Sequence, residues 1–327
     1  MDKFSVILAA YNTEELLEEC ILSVLHQTRS VDEFIIIDDG STDRSPELID
    51  KYAAEYPNII VFHQRNAGQA AARNVGLAHA SGNYIGFIDS DDWYDPNFIE
   101  ELYNCCQKNG ASIACASMSD YYSKQNVVRH DYAANTDPFK ITPSVCNKLF
   151  RRNLIGDLRF QEGRWYEDFG FFHALLSRNP VIAYTTSTTY NCHCRPVSTM
   201  FNDNALQNLD ILFICNYIES LYPKPLPTAI REKYEYIYLD TLLISTINRL
   251  AIMHNRAKNN VIATIRLYVK NKFPDWATSQ TFRNLPFKRR IIAYLNGHGL
   301  HKISRLIIGF NGVIKQLRSP KLFKAEK

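Results

Sequence analysis

Three acidic groups in this chain carry residue types that could do chemistry: Asp38-Asp39 in IIIDDGSTD, Asp89-Ser90-Asp91-Asp92 in DSDDW, and Glu167-Asp168 in WYEDF. Asp38 and Asp39 close an apolar run, Phe34–Ile37, that reads as a strand covered on both faces. Two adjacent carboxylates at the edge of a core repel each other, and burying them costs free energy unless hydrogen-bond donors or cations meet them. A helix cap needs one acceptor. Asp43 and Asp95 fit that modest role, but the crowd of Asp38, Asp39, Asp89, Asp91 and Asp92 exceeds it. An oxygen-rich rim suits a hard divalent ion, Mg²⁺ or Mn²⁺, which often takes only one or two carboxylates together with substrate phosphates. Glu167-Asp168 stands among Trp165, Tyr166 and Phe169. Desolvation there raises a carboxylate above its ordinary value of ~3.9, toward the range of a useful general base. The alternative is that Asp168 caps a helix over Phe169–Ser177.

The segment RNAGQAAARN, Arg65 to Asn74, offers the basic counterpart. Gly68 and the alanines let backbone approach a ligand at a helix N-terminus, and Arg73 can reach it. Close helix packing on a sheet explains the same alanines. No GxxxxGK[ST] motif occurs, and no GxGxxG follows the first strand, so any phosphate falls to metal and basic side chains.

The elements that must position these groups alternate. Strands are expected at Ser5–Asn12, Phe34–Asp38, NIIVFHQ, NYIGFID and SIACASM. Between them lie a helix capped by Thr13 with Glu14 and Glu15 in its first turn, one opened by Ser45-Pro46, one over about 68–80, and one from Asp95-Pro96 to about Asn109. Such alternation means βαβ units, a mostly parallel sheet and an α/β fold. Ligands then sit at the carboxyl ends of the strands, where the acidic groups lie.

The chain has 327 residues, 46% apolar and 22% charged, with a net charge of +3. From Pro286 to Lys327 there are ten Lys or Arg and one acid, a net +9; +3 less +9 leaves −6 on residues 1–285. None of the eight cysteines forms a CxxC pair, and the first residues lack a signal peptide's layout, so reduced cysteines in a cytoplasmic protein are expected. Cys192-His193-Cys194 alternate across a strand, which argues against a joint zinc site. No run of about 18 uncharged apolar residues suggests a membrane span.

Taken together, AAYNTEELLEECILSVLHQT, IIIDDGSTDRS, RNAGQAAARNVGLAHASGNYIGFIDSDDW and WYEDFGF resemble the inverting nucleotide-sugar glycosyltransferases of family 2, which have the GT-A fold. The resemblance covers residues 4 to about 200 and lies in the order and spacing of separate motifs. It implies a nucleoside-diphosphate sugar, most often a UDP-sugar, with Mn²⁺ or Mg²⁺, and a saccharide or lipid-linked saccharide acceptor in surface polysaccharide assembly. By matching motif it implies that Ala9, Tyr11 and Asp39 line the nucleoside pocket, with Asp39 accepting from the uracil ring and Asp38 meeting a helix terminus or a basic partner. Asn66, Gly68 and Arg73 should lie by the nucleotide. Asp89-Ser90-Asp91 matches the DxD motif, with Asp91 the metal ligand and Asp89 on the ribose or a metal-bound water. Asp92 should face the sugar. Asp168 matches the catalytic aspartate, with Glu167 beside it and Trp165 contacting donor or acceptor. Arg195 and Ser198 fit a basic and hydroxyl stretch after the last strand, and His193 is a candidate for the metal shell or the diphosphate. Cys192 and Cys194 depart from the family pattern there.

The resemblance ends near Phe201. Residues 1–204 are therefore expected to form the catalytic domain and 205–327 a helical region with a basic amphipathic tail. Such a tail suits an anionic membrane surface on the inner face of the membrane, and a solvated helical face or an oligomer contact is the plainer reading. Sparse aromatics and the lack of any RNA or DNA module argue against nucleic acid. The rival functions are a nucleotidyltransferase, for which the basic Gly-rich loop is missing, and an inactive sugar-nucleotide-binding partner subunit, against which every acid the reaction needs is present.

Overall fold

The computed structural model describes residues 2–123, 125–132, 136–194 and 204–308. Arg195, Ser198 and the basic positions beyond 308 lie outside them. Contacts divide the chain into two compact units, Met1–Asn202 with Ile214–Tyr222 and Asp203–Phe213 with Pro223–Lys327.

The first unit is built on a sheet. Four parallel strands come from the β-branched runs: β1 (Phe4–Ala10), β2 (Glu33–Asp38), β3 (Ile59–His63) and β4 (Tyr84–Asp89). Their order is β3-β2-β1-β4, and helices α1 (Leu17–Leu25), α2 (Ser45–Glu55) and α3 (Gln69–His79) connect them. β1 is buried at every residue, as expected of a strand covered on both faces. Register aligns Ala9 with Ile37 and Asp89, and Ala10 with Asp38. The acidic strand ends thus share one edge.

Beyond β4 the order departs from sequential alternation. After the short β5 (Trp93–Tyr94) and α4 (Phe98–Asn109), β6 (Ile113–Ser123) does not pair with β4. The later β8 (Lys148–Arg151) inserts between them, antiparallel to both. β7 (Asn126–His130) folds back on β6, and β9 (Ile182–His193) runs parallel to β6 and carries β5. α5 (Arg152–Ile155) follows β8, and α6 (Glu167–Leu176) precedes β9.

The caps differ from expectation. α1 begins at Leu17, with Glu18 and Glu19 in its first turn. Thr13 does not cap it, since its hydroxyl is buried without a partner. Instead, Ser45 Oγ accepts from the Thr13 amide at 3.0 Å and Asp43 Oδ2 from the Glu14 amide at 3.0 Å, so the loop after β2 caps the loop after β1. Asp95 spends its side chain on Asn191 Nδ2 at 2.9 Å rather than on α4.

The second unit is helical. A π-helical segment, Tyr238–Thr246, packs against α8 (Thr228–Ile237), α9 (Ile247–Ile252), α10 (Lys258–Lys272) and α12 (Phe287–Gly297). Asn296 on α12 donates to Leu243 O at 2.6 Å. α7 (Asp210–Ser220) crosses the boundary between units, and α11 (Gln280–Arg283) is a single turn. Among the described residues no helix is long and apolar enough to cross a membrane.

Candidate functional site

Asp38 and Asp39 are both buried, and different groups meet them. Asp38 Oδ2 lies 3.0 Å from His63 Nδ1 at the end of β3, and Asp38 Oδ1 accepts from the Ser41 amide. His63 Nε2 lies 3.1 Å from Asp50. Its bond to Asp38, with a smaller contribution from Asp50, raises the imidazole pKa against the opposing effect of burial. Asp38 therefore has the basic partner that the motif reading allowed. Asp39 instead takes neutral donors: Gln64 Nε2 at 2.6 Å, the Ala67 amide at 2.9 Å and the Gly68 amide at 2.8 Å.

Two glycines make this possible. Gly68 adopts φ +89° at the start of α3, a backbone that aims its amide at Asp39. Gly40 adopts φ +76°, and a Cβ there would stand 2.7 Å from the Asn66 amide nitrogen. Asn66 and Tyr11 are exposed, while Ala9 is buried.

The centre of the array is Arg73 on α3. Its guanidinium is 2% exposed and is surrounded by carboxylates. Nη2 donates to Asp89 Oδ1 at 2.7 Å, and Nη1 donates to Asp168 Oδ1 at 2.6 Å and Glu167 Oε1 at 3.4 Å. Gln69, which carries no motif signal, also donates to Asp89 Oδ1 at 2.7 Å. Motif order placed Arg73 by the nucleotide. In the structure it joins the end of β4 to the start of α6, a separation of 95 residues from Arg73 to Asp168.

One cation against three carboxylates leaves net negative charge. Burial, and then the neighbouring Asp168, push Glu167 up to about 7 despite Arg73. Asp168 is also raised by burial, with Arg73 opposing and Asp89 adding to the rise. Side-chain exposures of 19% for Glu167 and 21% for Asp168 leave both reachable from solvent. Tyr166 precedes them with φ +68°, a strained backbone for a bulky residue, in the position where α6 begins. The expected helix over Phe169–Ser177 therefore starts two residues earlier, and Asp168 lies inside its first turn. Trp165 is half-buried beside them.

The DxD loop is clamped from β9. Asp92 is buried and accepts from Tyr190 Oη at 2.7 Å and from the His193 amide at 2.9 Å. It does not face outward toward a sugar, because both of its oxygens serve the loop. Burial, then Asp89 and Asp91, raise its pKa well above the usual carboxylate range. Ser90 is buried too, and Asp91 and Asp89 are half-buried. His193 Nδ1 lies 2.6 Å from the Asp91 carbonyl, and its ring packs tilted against Trp93 with centroids 4.5 Å apart. A carbonyl can only accept, so Nδ1 carries the proton in this contact.

Among the described residues no group of three or more His, Cys, Asp or Glu side chains is placed to hold a metal ion. Asp89 and Asp91 are half-buried carboxylates, the ligand type that a hard divalent ion prefers. The excess negative charge around Asp89, Asp91 and Asp92 favours a cation there.

The sequence reading gave no individual role to Tyr190, Cys146 or Lys148. Cys146 is buried with Sγ 3.8 Å from Arg73 Nη2. Tyr190 acts on Asp92 and Cys146 lies by Arg73, partners distant in sequence, whereas Lys148 binds its own loop.

Comparison with known proteins places this arrangement. The model of the family described as Glycosyl transferase family 2 matches residues 5–180. Glycosyltransferase GlyA of Streptococcus pneumoniae is 34% identical over 51% of this chain and 27% of its own length. Glycosyltransferase GlyG of the same organism is 30% identical over 60% of this chain and 72% of its own length. The chain thus spans about a quarter of one relative and most of the other. Among solved structures, residues 1–349 of TarS from S. aureus in complex with UDP superpose with a TM-score of 0.68 at 18% identity, covering 99% of this chain and 94% of that one. That likeness concerns the fold, whose curled, mostly parallel sheet and helical C-terminal part are of the GT-A type. With a family match over more than half its length, and its motif acids gathered on one sheet edge, the chain belongs to glycosyl transferase family 2.

Proposed function

We propose that this chain is an inverting glycosyltransferase. It moves a sugar from a nucleoside-diphosphate donor, most simply a UDP-sugar, to a hydroxyl of a saccharide or lipid-linked saccharide in surface polysaccharide assembly. The observation that carries the reading is the convergence of Asp89, Glu167 and Asp168 on Arg73, which joins a donor-side acid to a candidate base across the sheet edge. The UDP in the TarS structure supports the choice of nucleotide.

On this reading the nucleoside lies over Ala9, Tyr11, Asp39, Asn66 and Gly68, where Asp39 holds the 64–68 loop in shape and retains acceptor capacity for a base. Asp89 and Asp91, with His193, would hold Mn²⁺ or Mg²⁺, which when bound supplies positive charge to the leaving diphosphate. Asp168, with Glu167 beside it, takes the proton from the acceptor hydroxyl. The acceptor oxygen bonds to the anomeric carbon from the face opposite the diphosphate, and the bond from that carbon to the phosphate oxygen breaks, its electron pair leaving with the nucleotide. One displacement inverts the anomeric centre. Arg73 keeps the base and the donor-side acid in one frame.

The second unit supports attachment to an anionic membrane surface. Lys288, Lys302 and Arg305 accompany Phe287, Tyr294, Ile303 and Leu306, all exposed, with Phe287 at 71%, and no acid occurs between 286 and 308.

The test is nucleotide release. Purified protein with Mn²⁺ and a panel of UDP-sugars should free UDP from one donor well above the others, since water slowly replaces a missing acceptor. A flat panel, with UDP failing to raise the melting temperature, would reject the UDP-sugar reading.

A further inference from the structure

Lys148, the first residue of β8, is a fully buried cation outside the carboxylate array. Its ammonium donates to Thr142 O at 2.9 Å, Ser144 O at 2.6 Å and Asn147 Oδ1 at 2.8 Å. Its Nζ also lies 4.6 Å from the centroid of the Phe172 ring of α6. Among the described residues it forms no ion pair with a carboxylate. A buried ammonium held only by neutral oxygens and a ring is costly, and a methionine would fill the space without that cost. All three N–H groups go to one short loop, residues 142–147. With the carbonyls of Thr142 and Ser144 turned in toward the ammonium, the Val145 amide between them and β8 donates to Asp168 Oδ2 at 3.2 Å. Asp168 is thus held at Oδ1 by Arg73 and at Oδ2 by the loop that Lys148 folds.

We propose that Lys148 is a positioning residue for the transfer reaction: its ammonium shapes loop 142–147 so that the Val145 amide fixes the orientation of the Asp168 carboxylate. This rests on the reading of Asp168 as the base. It also places a positive charge behind that base, in addition to Arg73, and opposite in effect to Asp89.

The test compares Lys148→Met, Lys148→Arg and Asp168→Asn in the full chain. UDP release is followed from UDP-glucose, UDP-galactose and UDP-N-acetylglucosamine with Mn²⁺, and UDP binding by calorimetry. Lys148→Met should lower kcat by about tenfold or more, as expected when a reacting group is misplaced, with UDP affinity within about threefold of the parent. The acid limb of its pH–kcat profile should move to higher pH, because the carboxylate loses a donor and a nearby cation. Lys148→Arg, which keeps the charge, should recover part of both. An unchanged kcat and acid limb in a folded Lys148→Met, with Asp168→Asn inactive, overturns the positioning role alone. Full turnover by Asp168→Asn overturns the base assignment and this inference together. Should Lys148→Met lack a cooperative unfolding transition, Lys148→Gln is substituted, and loss of fold in both assigns the lysine to the core and overturns the proposal.

Discussion

At the residue scale, the chemistry of this protein is a matter of how like charges are kept together. Asp38 meets an imidazole, Asp39 meets amides, and Asp89, Glu167 and Asp168 share one guanidinium. Replacing Asp168 with Asn keeps its shape but removes the proton acceptor. UDP release should fall by about 10²–10⁴-fold, the usual contribution of a positioned base, while UDP binding survives. Arg73→Met is predicted to act on stability as well as activity. It leaves three clustered carboxylates without their cation, a loss of about 3–5 kcal/mol on the scale of broken buried ion pairs, read from urea unfolding at pH 7. Stability should recover partly as pH falls and the carboxylates protonate. His173 on α6 provides a separate pH signature. Burial pushes its imidazole down to about 4, with its bond to Phe169 O opposing. A depressed histidine binds its proton more readily in the unfolded chain. Stability is therefore undiminished above about 6.5 and is lost as pH falls toward 4, by roughly 3 kcal/mol. His173→Gln should flatten that part of the stability profile, and an equally steep decline in the variant would assign the effect to other groups.

At the element scale, the site is assembled from strand ends, one helix start and the loops that cap one another. The pairings of Thr13 with Ser45 and of Glu14 with Asp43 lock the loop after β1 to the loop after β2. The segment before α3 is held over β2 by Asp39, and Gly40 gives it room. Gly40→Ala should therefore push the Asn66 backbone away, costing about 1–3 kcal/mol of stability, as for other residues forced into sparsely populated backbone regions. It should also weaken UDP binding more than Gly110→Ala, whose glycine has a similar positive φ at the end of α4 but open space around it. Calorimetric titration of both variants with UDP makes the comparison. Equal affinities would separate the 64–68 loop from the nucleotide.

At the scale of the whole molecule, two properties depend on charge distribution. If Asp89 and Asp91 hold a divalent ion for the diphosphate, removing metal with EDTA should reduce UDP release by about tenfold or more, and Mn²⁺ or Mg²⁺ should restore it. The uneven net charge, +9 on 286–327 against −6 on the rest, predicts binding to vesicles containing phosphatidylglycerol but not to vesicles of phosphatidylcholine alone. That binding should weaken as salt shortens the Debye length from about 10 Å at 0.1 M to about 3 Å at 1 M. Flotation at the two salt concentrations measures it.

Much of this was legible in the chain itself. The unbroken apolar runs of β1, β2 and β4, and the acids that end two of them, determined a parallel sheet with a polar edge, because a strand buried on both faces must be apolar and can turn polar only where it emerges. Pro46 marked one helix start for a local backbone reason. The motif order also put Asp89, Glu167 and Asp168 in one site. What only the tertiary structure decided was which group each acid would meet. β8 inserts between β4 and β6 although it follows both in sequence, and that insertion places Lys148 behind Asp168. Thr13 was misread as a cap because the residues that satisfy the start of α1 come from a loop some thirty positions away. Arg73 was assigned to phosphate for the same reason: its neighbours in sequence are alanines, and its partners arrive from β4 and α6. Burial and periodicity are local properties of a chain, and they can be read along it. The pairing of charges is settled by whatever the fold brings within a few ångströms, and here those partners lie up to about a hundred residues apart.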